Sequence, residues 1–237
     1  MNHFCLGDLH GNIPAFRSVL QQIDLKPDDK AYIVGDAIDR RAGGIELVKE
    51  IMNSSQTELL LGNHEYMMRN VINAELVHSK GWRYENDKEL WYANGGKVTH
   101  RNYLVLPRNE KTEIRDYLDA LPVNIDLSIH DHPFKLVHAA PLEWYNNNLG
   151  YSGAIEFAVW HRWGSNYPQS KEYTIVFGHT PTEMFQDGTP MRIWHGENVC
   201  GIDCGAGYPD DSFDRYGVQG RLAAICLETC KEYYSEK

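Results

Sequence analysis

The stretch Phe4-Cys5-Leu6-Gly7-Asp8-Leu9-His10-Gly11-Asn12 packs three signals into nine residues. An apolar run stops at a glycine. A carboxylate and an imidazole follow, two residues apart. A second glycine and a helix-capping asparagine then turn the chain into Pro14 and a helical pattern carried by Phe16, Val19, Leu20 and Ile23. A short buried strand that ends by presenting Asp8 and His10 is half of a metal site.

The same arrangement recurs twice. Ala31 to Val34 reads as a buried strand ending in Gly35-Asp36, and Ile45, Val48, Ile51 and Met52 mark the next helix. Glu58 to Leu61 reads as a third strand, ending in Gly62-Asn63-His64-Glu65. Strand, helix, strand, helix, strand implies parallel pairing with right-handed crossovers. Sites in such sheets form beyond the carboxyl ends of the strands, where all three polar clusters fall.

Residues 66–110, rich in Met, Trp, Tyr, Asn and charge, read as helix and loop and are expected to form a cap insert within a single domain spanning 1–237. Trp82, Trp91 and Tyr92 are expected to pack that cap. Ile114, Tyr117, Leu118 and Leu121 mark a further helix, stopped by Pro122. Strand signals then return. Val123 to Ile129 and Phe134 to Val137 read as a hairpin about His130-Asp131-His132, and the second strand ends in His138. Ile155, Ala158 and Val159 suggest a helix before Trp160-His161-Arg162. Thr174 to Phe177 is a strand ending in Gly178-His179. Asn198 to Asp203 and Leu222 to Leu227 complete the set. These elements predict an α/β fold with two β-sheets sandwiched between flanking helices.

Five strand ends thus offer Asp8 and His10, Asp36, Asn63 and His64, His138, and His179. Oxygen and nitrogen donors without sulfur suit Mn²⁺, Zn²⁺, Fe²⁺ or Mg²⁺. The set is too large for one ion. Two ions about 3.5–4 Å apart, bridged by a carboxylate, would use it fully, and that is the geometry of two-metal hydrolysis at phosphorus.

Gly7-Asp8-Leu9-His10-Gly11, Gly35-Asp36-Ala37-Ile38-Asp39-Arg40 and Gly62-Asn63-His64-Glu65 resemble the three signature motifs of the calcineurin-like metallophosphoesterases. More narrowly they resemble the phosphoprotein phosphatase family of serine/threonine phosphatases, including its bacterial and phage members. The resemblance spans about residues 3–205. It implies that Asp8 and His10 bind a first metal, that Asp36 bridges, and that Asn63, His138 and His179 bind a second, with manganese as the expected ion. It implies that Arg40 and Arg162 bind phosphate, with Asn63 lining the substrate side, and that His64, paired with Asp39, protonates the leaving group while a metal-activated water attacks phosphorus in line. Two positions depart from the family pattern. Arg41 stands where glycine is usual, and Ala139-Ala140 follow His138 where the family has two glycines.

Within this resemblance the expected substrate is a phosphorylated protein or a small phosphoester. A related branch hydrolyses dinucleoside polyphosphates and typically carries alanine at the position of Asp39, so Asp39 favours the phosphatase branch. Relatives that serve only as binding scaffolds lose metal ligands, and here every expected ligand type is present. The net charge of −10 argues against general nucleic-acid affinity. No stretch approaches a membrane span, and no signal peptide opens the chain, so a cytoplasmic setting is expected. The five cysteines fit a reducing compartment. The equally spaced pairs Cys200/Cys204 and Cys226/Cys230 are expected to be buried core thiols rather than a zinc site. Asp203 is expected to play a structural part.

Overall fold

A computed structural model of the protein describes residues 1–77, 79, 81–147, 150–163, 169–186, 191–209, 217 and 219–236. The first sheet is built on β1 (His3–Leu6), β2 (Lys30–Ile33) and β3 (Thr57–Leu59), which lie parallel in that order. The helices α1 (Ile13–Ile23) and α2 (Gly44–Met52) make the crossovers between them. Asn12 caps α1, accepting from the Ala15 N–H at 3.2 Å. The strands β9 (Ala223–Cys226) and β10 (Glu232–Tyr234) extend the sheet antiparallel on the other side of β1.

The sequence of each central strand explains its placement. Successive side chains of a strand point to opposite faces, so a strand covered on both sides must be apolar throughout. Phe4 and Leu6 of β1 and Ala31 and Ile33 of β2 enter the core between sheet and helices. Cys5, Tyr32, Val34 and Leu60 enter the core between the two sheets. The third strand pairs only to Leu59, although Leu60 still donates to the Ile33 carbonyl at 2.9 Å. The expected strand end at Leu61 therefore overshoots the pairing but not the burial.

The second sheet runs β4 (Asn124–Ile129), β5 (His132–Val137), β6 (Thr174–Phe177), β8 (Val199–Gly201) and β7 (Trp194–Gly196) in spatial order. Its centre, β5–β6–β8, is parallel, and the two edges are antiparallel. His130 and Asp131, both in left-handed conformations, turn the β4–β5 hairpin where the sequence places it. Leu136 and Val176 face the first sheet. Ile175 and Phe177 face outward beneath Trp144, Trp163, Phe185 and Trp194. The αββα expectation holds, but its layers are unequal. The long helices α3 (Asn63–Leu76), α4 (Trp82–Ala93), α5 (Lys97–Leu104) and α6 (Arg108–Ala120) join the core on the first sheet's outer face. The second sheet's outer face is covered largely by aromatic side chains from short 3₁₀ turns and loops.

The cysteine expectation needs one correction. Cys5, Cys200, Cys204 and Cys226 are buried thiols, but Cys230 is exposed. Even spacing would keep it on the face of Cys226 only if the strand continued. Instead β9 ends at Cys226, and the chain turns back through a left-handed Cys230 to begin β10.

Candidate metal centre

The ends of β1, β2, β3, β5 and β6 meet at one place between the sheets. Asp8, His10, Asp36, Asn63, His64, His138 and His179 are all buried there. Backbone hydrogen bonds tie the loops together. The Leu9 and His10 N–H groups donate to the Asp36 carbonyl at 3.0 and 2.8 Å, and Gly178 N–H donates to the His138 carbonyl at 2.9 Å. His10, Asp36, Asp39, Arg40 and His179 all have positive φ, between 47° and 72°. Non-glycine residues rarely adopt this conformation, and such strain concentrates at functional sites. Two of the glycines that break the strands are there for room. A Cβ on Gly62 would collide with Asp36 Oδ1, and one on Gly178 with Asp8 Oδ1.

The imidazoles are aimed by their outer nitrogens. His138 Nδ1 lies 2.7 Å from the Val34 carbonyl, so it carries the proton and donates. Its Nε2 then turns a lone pair toward Asn63 Oδ1 at 2.9 Å and Asp36 Oδ1 at 3.4 Å. His10 Nδ1 donates to the Ile38 carbonyl at 3.2 Å, which leaves Nε2 facing Asp36 Oδ2 at 3.6 Å and Asp8 Oδ2 at 4.0 Å. His179 Nε2 donates to the Trp160 carbonyl at 3.3 Å. An imidazole oriented by a carbonyl behind it is the usual arrangement of a metal-binding histidine.

Electrostatics agrees with this picture. Burial, then Arg40 and the neighbouring His64, hold His10 well below the usual histidine range. Burial, then His138 and Arg162, do the same for His179. Burial also lowers His138. Neutral imidazoles are what a metal requires. Burial works against the charge of Asp36, but His138, His64, His10 and His179 outweigh it, and its carboxyl lies well below the ordinary range. Burial, Asp203 and Asp36 push Asp8 well above its ordinary value. The lone-pair nitrogens of His10, His138 and His179 therefore converge with the oxygens of Asp36 and Asn63, a donor set that fits cations. The donor atoms of His10, Asp36 and His64 lie within 4.8 Å of one another, as do those of Asp36, His138 and His179. Asp36 belongs to both groups. Asp8 stands at the edge of the first and accepts from the His179 N–H at 3.2 Å.

Two features lie beside this cluster. His64 Nδ1 is 2.7 Å from Asp39 Oδ2 and its Nε2 is 3.7 Å from Asp36 Oδ2. Burial opposes a charged His64, but Asp36 and the Asp39 bond prevail and raise its pKa. Arg40 and Arg162 are exposed, and Arg162 Nη1 donates to the His179 carbonyl at 3.0 Å. Arg41, by contrast, sends Nη2 to the Tyr208 carbonyl at 2.6 Å.

Three further residues support the site: Glu65, to which the sequence assigns no role, Asp203, expected as structural, and Trp91, expected in the cap. Glu65, fully buried, accepts from the N–H groups of Asp36 at 2.8 Å, Ala37 at 2.9 Å and Gly62 at 3.1 Å. Burial and Asp36 push it up to about 8, against those hydrogen bonds. Its place inside the quoted Gly62–Glu65 stretch was the available signal. Asp203 lies near enough to Asp8 to raise its pKa. Trp91 donates to Asp39 Oδ2 at 2.8 Å, a contact with no local signal in the sequence.

The family model for the calcineurin-like phosphoesterases matches residues 1–219. A symmetrical bis(5'-nucleosyl)-tetraphosphatase of Sodalis glossinidius is 24% identical over 252 residues, covering 84% of this chain and 88% of its own. Among solved structures, one described as a putative diadenosine tetraphosphatase superposes with a TM-score of 0.61 at 16% identity, over 98% of this chain and 92% of the other. A protein serine/threonine phosphatase from Saccharomyces cerevisiae superposes with a TM-score of 0.54 at 12% identity, over 100% and 80%.

Proposed function

The chain belongs to the calcineurin-like phosphoesterase family, and on that premise we propose that it is a two-metal phosphomonoesterase of the serine/threonine protein phosphatase type. The observation that carries this reading is the 2.7 Å bond between His64 and Asp39. An alkoxide leaving from a phosphoserine or phosphothreonine is strongly basic and needs a proton, whereas a phosphate leaving from a polyphosphate needs it less. A buried imidazole backed by a carboxylate is built for that delivery.

In this reading Asp8, His10 and Asp36 hold one ion, and Asp36, Asn63, His138 and His179 hold the other, with Mn²⁺ as our choice of metal. When bound, the ions neutralise phosphoryl charge and acidify water toward a nucleophile at neutral pH. The protein's own groups do the rest. Arg40 and Arg162 bring exposed guanidinium forks to the phosphoryl oxygens. Asn63 lines the substrate side. Asp39 accepts from His64 Nδ1, so the acid is the imidazolium, protonated on both nitrogens, whose Nε2 proton faces the donor cluster and is the one delivered. The strand-end backbone holds these groups in place before substrate arrives.

A second reading, hydrolysis of dinucleoside polyphosphates, is favoured by the relative from Sodalis glossinidius, which is aligned over most of its length. The two are separated by assaying phosphoserine, phosphothreonine and phosphotyrosine peptides beside diadenosine tetraphosphate with added Mn²⁺. Turnover of the peptides and not the nucleotide is expected, and the reverse preference overturns the first reading. The helices over 66–110 are proposed to be a cap insert within one domain. The five free cysteines support a reducing, cytoplasmic setting, and among the described residues no helix is long and apolar enough to cross a membrane.

A further inference from the structure

We infer that Trp91 is a positioning residue for proton delivery, its indole N–H holding the Asp39 carboxylate in the orientation that aims His64. This rests on the reading of His64 as the general acid.

The bonding of Asp39 is lopsided. Its Oδ2 accepts from both His64 Nδ1 at 2.7 Å and Trp91 Nε1 at 2.8 Å. Its Oδ1 is buried and has no hydrogen-bond partner among the described residues. Its own N–H donates to Thr99 Oγ1 at 3.0 Å. All the carboxylate's bonding thus passes through one oxygen, held from two sides. An indole nitrogen can only donate, so Oδ2 accepts there, and an ionised Asp39 accepts from His64 as well. That fixes the Nδ1 proton toward Asp39 and the ring orientation of the His64 imidazolium, and points its Nε2–H at the donor cluster.

The indole is itself held firmly. Trp91 is fully buried on α4, with the ring of His100 at 5.1 Å. His100 is fastened by Tyr92 Oη on Nδ1 at 2.7 Å and by Glu75 on Nε2 at 3.3 Å. A Cβ on Gly96 would collide with the indole. The helices α4 and α5 therefore reach the reacting centre through Trp91 and Thr99, although neither of the two groups of mutually close metal donors contains a residue from them. In a dry site a donor held in place before reaction stabilises the carboxylate without reorganising. A phenylalanine there would keep an aromatic ring in the core, lose the N–H and leave a small cavity, whose cost does not depend on the leaving group.

The test is Trp91→Phe, with metal content verified, assayed on aryl phosphates of rising leaving-group pKa beside His64→Asn. The loss expected for phenyl phosphate is about 10- to 100-fold, the worth of one hydrogen bond to a charged group. For p-nitrophenyl phosphate, which departs without a proton, it is under about threefold. In an Asp39→Ala background the substitution adds no further leaving-group dependence. An equal loss across the series, or full additivity with Asp39→Ala, assigns Trp91 a packing role only and overturns the inference. If His64→Asn is itself insensitive to the leaving group, the general-acid reading falls and takes this one with it. If His64→Asn is sensitive and Trp91→Phe is not, only the role of Trp91 falls. Should Trp91→Phe fail to fold, indole ¹⁵N–¹H spectra of the parent chain and Asp39→Asn decide. One indole N–H resonance is expected to move, and a spectrum in which none moves overturns the inference.

Discussion

The first sheet's half of the site and the second sheet's half are held in different ways. Asp8, His10, Asp36, Asp39, Arg40, Asn63 and His64 come from three neighbouring parallel strand ends. Their loops are laced by the bonds from Leu9, His10 and Gly11 to the Asp36 and Ala37 carbonyls, and by the three N–H groups gathered on Glu65. His138, His179 and Arg162 come one at a time. They are tied to different parts of the fold, by Ala139 and Ala140 N–H to the Ala158 carbonyl, by Gly178 to His138, by Arg162 to the His179 carbonyl, and by the reach of His179 N–H across to Asp8. The first half is a platform held by the protein's own hydrogen bonds. In the proposed function the second half completes the donor set and supplies Arg162, an exposed arginine. Mutations should therefore cost stability in the first half and ligand binding in the second.

The largest effect belongs to Asp36, which stands in the first half but belongs to both groups of donor atoms. Asp36→Asn removes the charge that both donor groups converge on. The expected result is loss of bound metal by elemental analysis and a fall in turnover of about 10³-fold or more. Retained activity with both ions in place would mean that the halves do not share a bridge. Glu65→Ala breaks the platform without touching a donor atom. Three buried N–H groups lose their acceptor, and the cost expected from denaturant unfolding is about 3 kcal/mol or more. A variant as stable as its parent would show that the lacing is not what holds the first half.

The same contrast governs how much could be read from the sequence. The first half is local, with each strand, its terminal glycine and its polar residues contiguous. The stretches about Asp8, Asp36 and Asn63 therefore announce both fold and site. His138 and His179 are legible because each follows its strand directly. The role of Glu65 is not legible from its own stretch, since its partners sit 3, 28 and 29 residues away. Trp91 and Asp39 are 52 residues apart, and no periodicity of α4 marks that contact. The edge strands β7 and β10, three residues each, are too short to show an alternation. Cys230 is exposed against expectation because spacing says nothing about where pairing stops.

Arg162→Ala tests the second half where it should be weakest in stability and strongest in binding. The side chain is exposed, and its one described bond is to a carbonyl. The expected outcome is a KM raised about 10-fold with unchanged metal content and unchanged unfolding midpoint, since a guanidinium facing phosphate contributes to binding and not to the core. A lowered midpoint with unaltered KM would make Arg162 a strut for the His179 loop.

The smallest effect lies away from both halves, where β9 closes on the start of β1. Glu228 accepts from the His3 N–H at 2.9 Å and from the His3 ring at 2.5 Å. Burial opposes its charge, but the bonds from His3 prevail, and its carboxyl is lowered below the ordinary value. A carboxyl lowered on folding stabilises the protein above its unfolded pKa, and that contribution is lost as pH falls through the folded one. The stability of the parent should therefore decline at and below the ordinary glutamate pKa more steeply than that of Glu228→Gln, measured by urea midpoints from acid to neutral pH. Turnover at neutral pH should be the same in both, because the platform begins at Gly7 and the bond being tested ends at His3. A variant that lost activity in proportion to stability would show that the platform depends on the whole length of β1. Parallel acid limbs would show that the His3 bond contributes no pH-dependent stability.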